Sequence, residues 1–178
     1  MTTIQKKVIR LVNFDLDESN LVLDVGCGLR PSGDVNVDVY INKVSPDLGV
    51  IIEGSKIANP VKSSAYCLPF KDGVFDVVRS RALLEHLDKP TSALKEMLRV
   101  ARRKVVFEVP HRFFRHSWGW KSQSERHKQV FSVKSVDDWI RRLGYYAVID
   151  TEFHFVPSIM PIIRLPWMIK VTIMKGKF

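Results

Sequence analysis

The 178-residue chain has only two cysteines, Cys27 and Cys67. Two thiols make neither a disulfide framework nor a four-thiolate zinc site, and reduced thiols in a cytosolic protein are the default expectation. Nowhere is there the run of about 18 apolar residues that a membrane-spanning helix needs. The best stretch, 156–174, is interrupted by Pro157, Pro161, Arg164, Pro166 and Lys170. No repeat, biased tract or linker divides the chain. With nine glycines and nine prolines it is neither collagen-like nor of low complexity. No histidine or cysteine group has metal-ligand spacing, so no metal is expected. The opening MTTIQKKVIRLVNF has no long apolar core and no small-residue cleavage site. A secretory leader is therefore not expected, and a cytoplasmic location is.

What the chain has is the composition of a folded domain: 46% hydrophobic and 26% charged residues. This length can bury about 70% of the surface exposed by the unfolded chain, so one domain over 1–178 is expected. The formal charge is +9. It permits an anionic partner, such as nucleic acid, an acidic membrane face or a phosphorylated small molecule, without choosing among them.

Apolar patterning gives alternating elements. Ile4 to Val12 reads as a short amphipathic helix. Leu21 to Val25, Val35 to Val39 and Val74 to Val78 read as strands, with Val50 to Glu53 as a further short one. A helix begins at Pro90 and presents Leu94, Met97, Leu98 and Ala101 on one face. Lys104 to Val109 is the next strand. Residues 111–130 look like a loop or an inserted lid. Ser135 to Leu143 reads as a helix capped by Ser135, with Asp137 and Asp138 in its first turn and Gly144 at its end. Tyr145 to Phe155 and Trp167 to Met174 complete the strands. Such alternation predicts an α/β fold with a mainly parallel sheet covered on both faces. Ligands then bind beyond the carboxyl ends of the strands.

A glycine loop, Asp24-Val25-Gly26-Cys27-Gly28, follows the first strand, and Asp38 ends the next. Glycines allow a sharp turn and close approach of backbone to a ligand. An acid in the position of Asp38 suits the two hydroxyls of a ribose. An ordinary turn with a solvent-facing acid stays open as the plainer reading. Only Leu29 to Asp34 separates Gly28 from the next strand, so no full crossover helix fits. Without a helix N-terminus a pyrophosphate is poorly supported, which argues against a nicotinamide dinucleotide.

Together the motifs resemble a class I S-adenosylmethionine-dependent methyltransferase of the type 11 group. The first is VLDVGCG at 22–28. Its continuation RPSGDVNVD, 30–38, is similar to a subgroup with a short loop in place of the first crossover helix. The second is AYCLPFKDGVFDVV at 65–78, whose LPF-x-D-x-x-FD core is far more specific than the glycine loop. The third is ALLEHLDKPTSALKEMLRVARRKVVFEVP at 82–110, and the last HKQVFSVKSVDDWIRRLGY at 127–145. The resemblance covers roughly residues 20–150. It implies a Rossmann-like sheet of seven strands with helices on both faces, an antiparallel last strand and an abbreviated first crossover.

It also implies S-adenosylmethionine as cofactor and S-adenosylhomocysteine as product. Asp24, Gly26, Cys27 and Gly28 would lie against the methionine end, and Asp38 would bind the ribose. Ser64 and Ala65 would border the adenine above Leu68. Arg79, Ser80 and Leu83 would lie toward the sulfonium. The family commonly has Asp where this chain has Ser64, which removes a charged acceptor for the adenine amine. Arg79-Ser80-Arg81 also replaces the Asn/Asp-Pro-Pro-aromatic motif of amino-methylating nucleic-acid enzymes.

Methyl transfer to a held nucleophile needs a base only when the acceptor must lose a proton. The candidates are Glu85, His86 and His111, with His127 as a packing or lid residue. The acceptor is expected to be a small or lipid-like molecule. In 111–130, Arg112, Arg115, Lys121, Arg126 and Lys128 interleave with Phe113, Phe114, Trp118 and Trp120, which also suits RNA. The apolar and basic tail 156–178 suits core packing, a homodimer or a flap. A non-catalytic S-adenosylmethionine-binding scaffold and a basic RNA-binding protein on the same fold are the alternatives.

Overall fold

A computed structural model describes residues 20–46, 48–112, 127–155 and 164–175. The helix expected over 4–12, most of the 111–130 loop and the 157–163 part of the expected flap lie outside the described residues. The strands are β1 (Val22–Val25), β2 (Val35–Asp38), β3 (Pro60–Lys62), β4 (Phe75–Arg81), β5 (Ala101–Pro110), β6 (Ala147–Phe155) and β7 (Arg164–Met174). The helices are α1 (Pro90–Val100) and α2 (Val133–Arg142). The sheet runs β3-β2-β1-β4-β5-β7-β6. Its first five strands are parallel, and β7 is antiparallel to both β5 and β6. The Rossmann-like seven-stranded sheet is therefore present, with its antiparallel last strand.

The abbreviated crossover is also present. β1 and β2 pair in parallel, Leu23 opposite Val35, and residues 26–34 between them form no helix. Parallel neighbours normally need a crossover of a dozen residues or more. Here a polar side chain of β2 and one of the connection itself hold the short path. Buried Asn36 accepts the Ser32 and Gly33 amides at 3.1 and 3.0 Å and donates to the Gly33 and Ala58 carbonyls. Asp34 Oδ2 accepts the Val22 amide at 2.8 Å, and the Asp34 amide returns to the Val22 carbonyl. The VNVDV alternation supplies both sides of this arrangement. Val37 enters the core, and Asn36 organises the connection.

Two expected elements are corrected. Val50 to Glu53 is not a strand. Ile52 bridges Ile41 and Ile51 bridges Val44, and the third strand is Pro60–Lys62. That strand is three residues long, and proline is tolerated there because it is the first residue of an edge strand. Helix α2 starts at Val133, capped by Ser132 rather than Ser135. Ser135 is its third residue and completes a reciprocal cap, with Ser132 Oγ accepting the Ser135 amide and Ser135 Oγ the Ser132 amide. Asp137 and Asp138 consequently fall beyond the first turn, and Asp137 pairs with Arg141 one turn on at 2.8 Å. Gly144, at φ +81°, ends the helix as expected.

The main core joins both helices to the sheet. Leu94, Met97 and Leu98 of α1 meet Leu23, Val78, Val105 and Phe107, while Val136 and Ile140 come from α2. Trp139 Nε1 donates to Thr91 Oγ1 at 2.9 Å, which ties α2 to the first turn of α1. Burying each such apolar side chain stabilises the fold by about 1.5–3 kcal/mol.

Candidate active site

The carboxyl ends of β1 and β2 meet at the glycine loop. The Gly26 and Cys27 amides both donate to the Val37 carbonyl, at 2.8 and 3.1 Å. Asp38 then closes the loop from the other side. Its Oδ2 accepts the Gly28 amide at 3.0 Å, and its Oδ1 accepts the Tyr40 amide at 2.8 Å. Each carboxylate oxygen has further acceptor capacity, so these bonds orient Asp38 without saturating it. Gly26 and Gly28 take positive φ, +74° and +51°. A Cβ at Gly26 would lie 2.9 Å from both terminal methyl carbons of Leu83. The loop therefore has only backbone thickness where the chain beyond β4 approaches it.

Asp24 lies beneath the loop, buried at 4% exposure. Ser32 gives its Oδ2 an amide at 3.0 Å and a hydroxyl at 2.7 Å. Burial pushes the Asp24 carboxyl above its ordinary range. The Ser32 hydrogen bonds and the nearby Arg79 charge act against that shift. Cys27 is buried next to both acids, and desolvation followed by the Asp38 and Asp24 charges pushes its thiol up to about 12. It stays protonated and is no nucleophile at neutral pH. Ser80 is buried and donates its hydroxyl to the Val25 carbonyl at 2.8 Å, tying β4 to β1 directly under the loop.

The second motif is built around two residues that the sequence reading did not single out, Glu96 and Arg99 of α1. Glu96 Oε2 accepts the Leu68 amide at 2.9 Å. Arg99 donates to the Leu68 and Phe70 carbonyls at 3.0 and 2.8 Å, to Asp72 at 2.7 Å and to Glu96. Leu68 is buried, and Phe70 packs edge-on against Phe75 with ring centroids 4.8 Å apart. The LPF-x-D-x-x-FD pattern is thus a loop clamped to α1. The clamp fixes the backbone that leads from Ser64 and Ala65. Ser64 Oγ accepts the Tyr66 amide at 3.2 Å. The E-x-x-R spacing of Glu96 and Arg99 on α1 was the available signal.

This clamp gives a pH-dependent prediction. Hydrogen bonding from Arg99 holds the Glu96 carboxyl below its ordinary 4.5. The native state therefore binds that proton less readily than the unfolded state. The pair's stabilisation is complete above pH 4.5 and is lost as pH falls through the lowered native value. Arg99→Ala should cost about 2 kcal/mol at neutral pH, and the gap from wild type should narrow in acid. Urea unfolding at pH 7 and pH 3 reads this directly, and an equal gap at both would refute it.

The candidate bases fall in two places. Glu85 and His86 lie on a short 3-10 turn, Leu84–His86, just beyond β4. Glu85 is 1% exposed, with Oε1 4.0 Å from His86 Nε2. His127 joins them. Its ring centroid is 4.9 Å from that of His86, with the planes at 76°. Donor atoms of Glu85, His86 and His127 all lie within 4.8 Å of one another. The sequence reading treated His127 as packing or lid and found no metal-ligand spacing, because a grouping between distant segments leaves no local pattern. His111 is elsewhere, at the end of β5, where its amide donates to Trp167 and it bridges Phe131. Burial, then the Arg112 charge, lowers its pKa below the ordinary 6.5. It is therefore neutral at pH 7.

A family model described as "Methyltransferase domain" matches residues 23–108. A demethylmenaquinone methyltransferase of Renibacterium salmoninarum is 33% identical over 101 residues, covering 52% of this chain and 43% of that protein. Ajmaline N-methyltransferase of Rauvolfia serpentina is 32% identical over 142 residues, covering 71% of this chain and 48% of that protein. The chain spans about half the length of these curated relatives or less. Among solved structures, an S-adenosylmethionine-dependent methyltransferase of Thermotoga maritima superposes with a TM-score of 0.65. It is 18% identical, with 90% of this chain and 84% of that chain covered. That likeness is one of fold.

Proposed function

We propose that the chain is a class I S-adenosylmethionine-dependent methyltransferase, transferring a methyl group from S-adenosylmethionine to a small-molecule acceptor. The observation that carries this reading is the junction of β1 and β2, where Asp38 holds the Gly28 amide and Gly26 leaves room only for Leu83. That junction suits a nucleoside with an amino-acid tail. The remaining lone pairs of Asp38 would accept the ribose hydroxyls. Asp24 and the loop from Gly26 to Gly28 would face the methionine end. Ser64, Ala65 and Leu68 would border the adenine, and Arg79, Ser80 and Leu83 the path to the sulfonium. The cofactor, when bound, supplies an activated methyl group. The chain's own task is to hold the acceptor in line with it and to exclude water.

Where the acceptor must lose a proton, Glu85 and His86 stand at the mouth of β4, and neutral His111 stands at the mouth of β5. The buried Cys27 thiol takes no covalent part. A cytoplasmic location belongs to the same reading. Among the described residues, no helix is long and apolar enough to cross a membrane. Most of the basic and aromatic stretch that prompted the RNA reading, 111–130, lies outside those residues, and no contact among them bears on a homodimer.

The test is a thermal shift with S-adenosylmethionine, S-adenosylhomocysteine and NAD in parallel. A ligand at 100 times its dissociation constant stabilises by about 2.7 kcal/mol, a rise of roughly 5–10 °C for a chain of this size. The rise should appear with the first two ligands and not with NAD, and Asp38→Ala should abolish most of it. Unchanged affinity in Asp38→Ala would overturn the ribose assignment. No rise with either adenosyl ligand would point to a degenerate pocket and favour the RNA-binding alternative.

A further inference from the structure

We propose that Glu85, His86 and His127 form a binding site for one divalent ion of the zinc class. All three donor groups are within 4.8 Å of one another. Two imidazoles and a carboxylate suit zinc, or cobalt and nickel, better than magnesium or calcium. Bonds of about 2.0–2.1 Å in a tetrahedral site put donor atoms about 3.3 Å apart. The largest closure needed is about 1.5 Å.

The backbone is already arranged for this. The Lys128 and Gln129 amides both donate to the Glu85 carbonyl, at 2.8 and 3.0 Å. Lys128 Nζ reaches Asp88 at 2.9 Å, and Gln129 Nε2 reaches the Leu87 carbonyl at 3.3 Å. Two segments from distant parts of the chain are thus stitched together within one or two residues of every ligand. Glu85 and His86 sit 4.0 Å apart, too far for a proton to be shared by a direct hydrogen bond but near the span of two ligands on one ion.

Three protein ligands leave a fourth position open. The turn carrying Glu85 follows Leu83, which lies against Gly26. The site therefore stands beside the proposed pocket, and an open position facing that pocket would take an acceptor oxygen. That use rests on the methyl-transfer reading, with proton removal then left to His111 because Glu85 and His86 are occupied as ligands; the existence of the site does not rest on it.

The experiment uses the full chain after chelator treatment, without any adenosyl ligand. Zinc uptake is followed by calorimetry, and cobalt uptake by the visible bands of a four-coordinate imidazole site. The expected result is one ion per chain. His86→Ala and His127→Ala should each weaken uptake by more than about tenfold, with circular dichroism confirming that each variant is folded. His127→Gln, which keeps a polar side chain of similar reach, serves if the alanine variant unfolds. No stoichiometric uptake, or uptake unchanged in folded variants, would overturn the proposal. Uptake of zinc with no thermal response to S-adenosylmethionine would uphold the site and remove the methyl-transfer reading.

Discussion

Gly33→Ala is expected to lower stability by about 3 kcal/mol, near the upper end for overpacking at a single position. The reason is the path between β1 and β2. A Cβ at Gly33 would stand 2.7 Å from the Val35 carbonyl oxygen, 2.8 Å from the Asp24 nitrogen and 3.0 Å from the Val22 carbonyl oxygen. All three are backbone atoms of paired strands, so no side chain can swing aside. Relief requires moving β1 from β2 or lifting residues 32–34 away from Asn36, which bonds Gly33 through both its amide and its carbonyl. Equilibrium urea unfolding measures the effect, and thermal melting should fall by roughly 6–12 °C. A loss below about 1 kcal/mol would mean that this connection is far looser than its hydrogen bonds imply.

The second large effect falls on the ligand rather than on the fold. Gly26→Val should weaken S-adenosylmethionine binding by about 100-fold or more, equivalent to about 2.7 kcal/mol. A β-branched residue at φ +74° is strained in itself. Its Cβ would also meet the Leu83 methyl carbons at 2.9 Å and the Leu83 Cβ at 3.1 Å. Leu83 can rotate, so the domain should remain folded with a smaller stability loss than in Gly33→Ala. The loop, however, would lose the close approach on which the proposed pocket depends. Calorimetric titration of the folded variant reads the outcome. Near wild-type affinity there would refute the placement of the methionine end against Gly26.

Much of this arrangement was legible in the residues. The VLDVGCG run, with its apolar strand and glycine stop, located β1 and its loop. The six residues from Leu29 to Asp34 excluded a crossover helix. The LPF-x-D-x-x-FD pattern located a structured loop before β4, although not what holds it. The parts that were missed have a common physical cause. Asn36, Glu96 and Arg99 act on backbone groups of other segments, and His127 meets Glu85 and His86 only after the chain has folded. Helical or strand periodicity carries no information about such partners. β3 was missed for a different reason. Three residues with proline first provide too little alternation to register, and their pairing with β2 is supplied by the neighbour.

The two borders of the sheet bear on how the molecule behaves when crowded with copies of itself. An unpaired strand border is a template for aggregation. At one border β3 is short and opens with Pro60, so it has few amides to offer an incoming chain. At the other, β6 is nine residues long, and among the described residues it lies last in the sheet. It is protected differently. Asp150 and Glu152 alternate along its exposed side, with Lys170 of β7 opposite Asp150. Antiparallel pairing of two β6 strands would bring these acids together. The sheet is thus shielded at one border by geometry and at the other by repulsion, and the second shield weakens as salt rises.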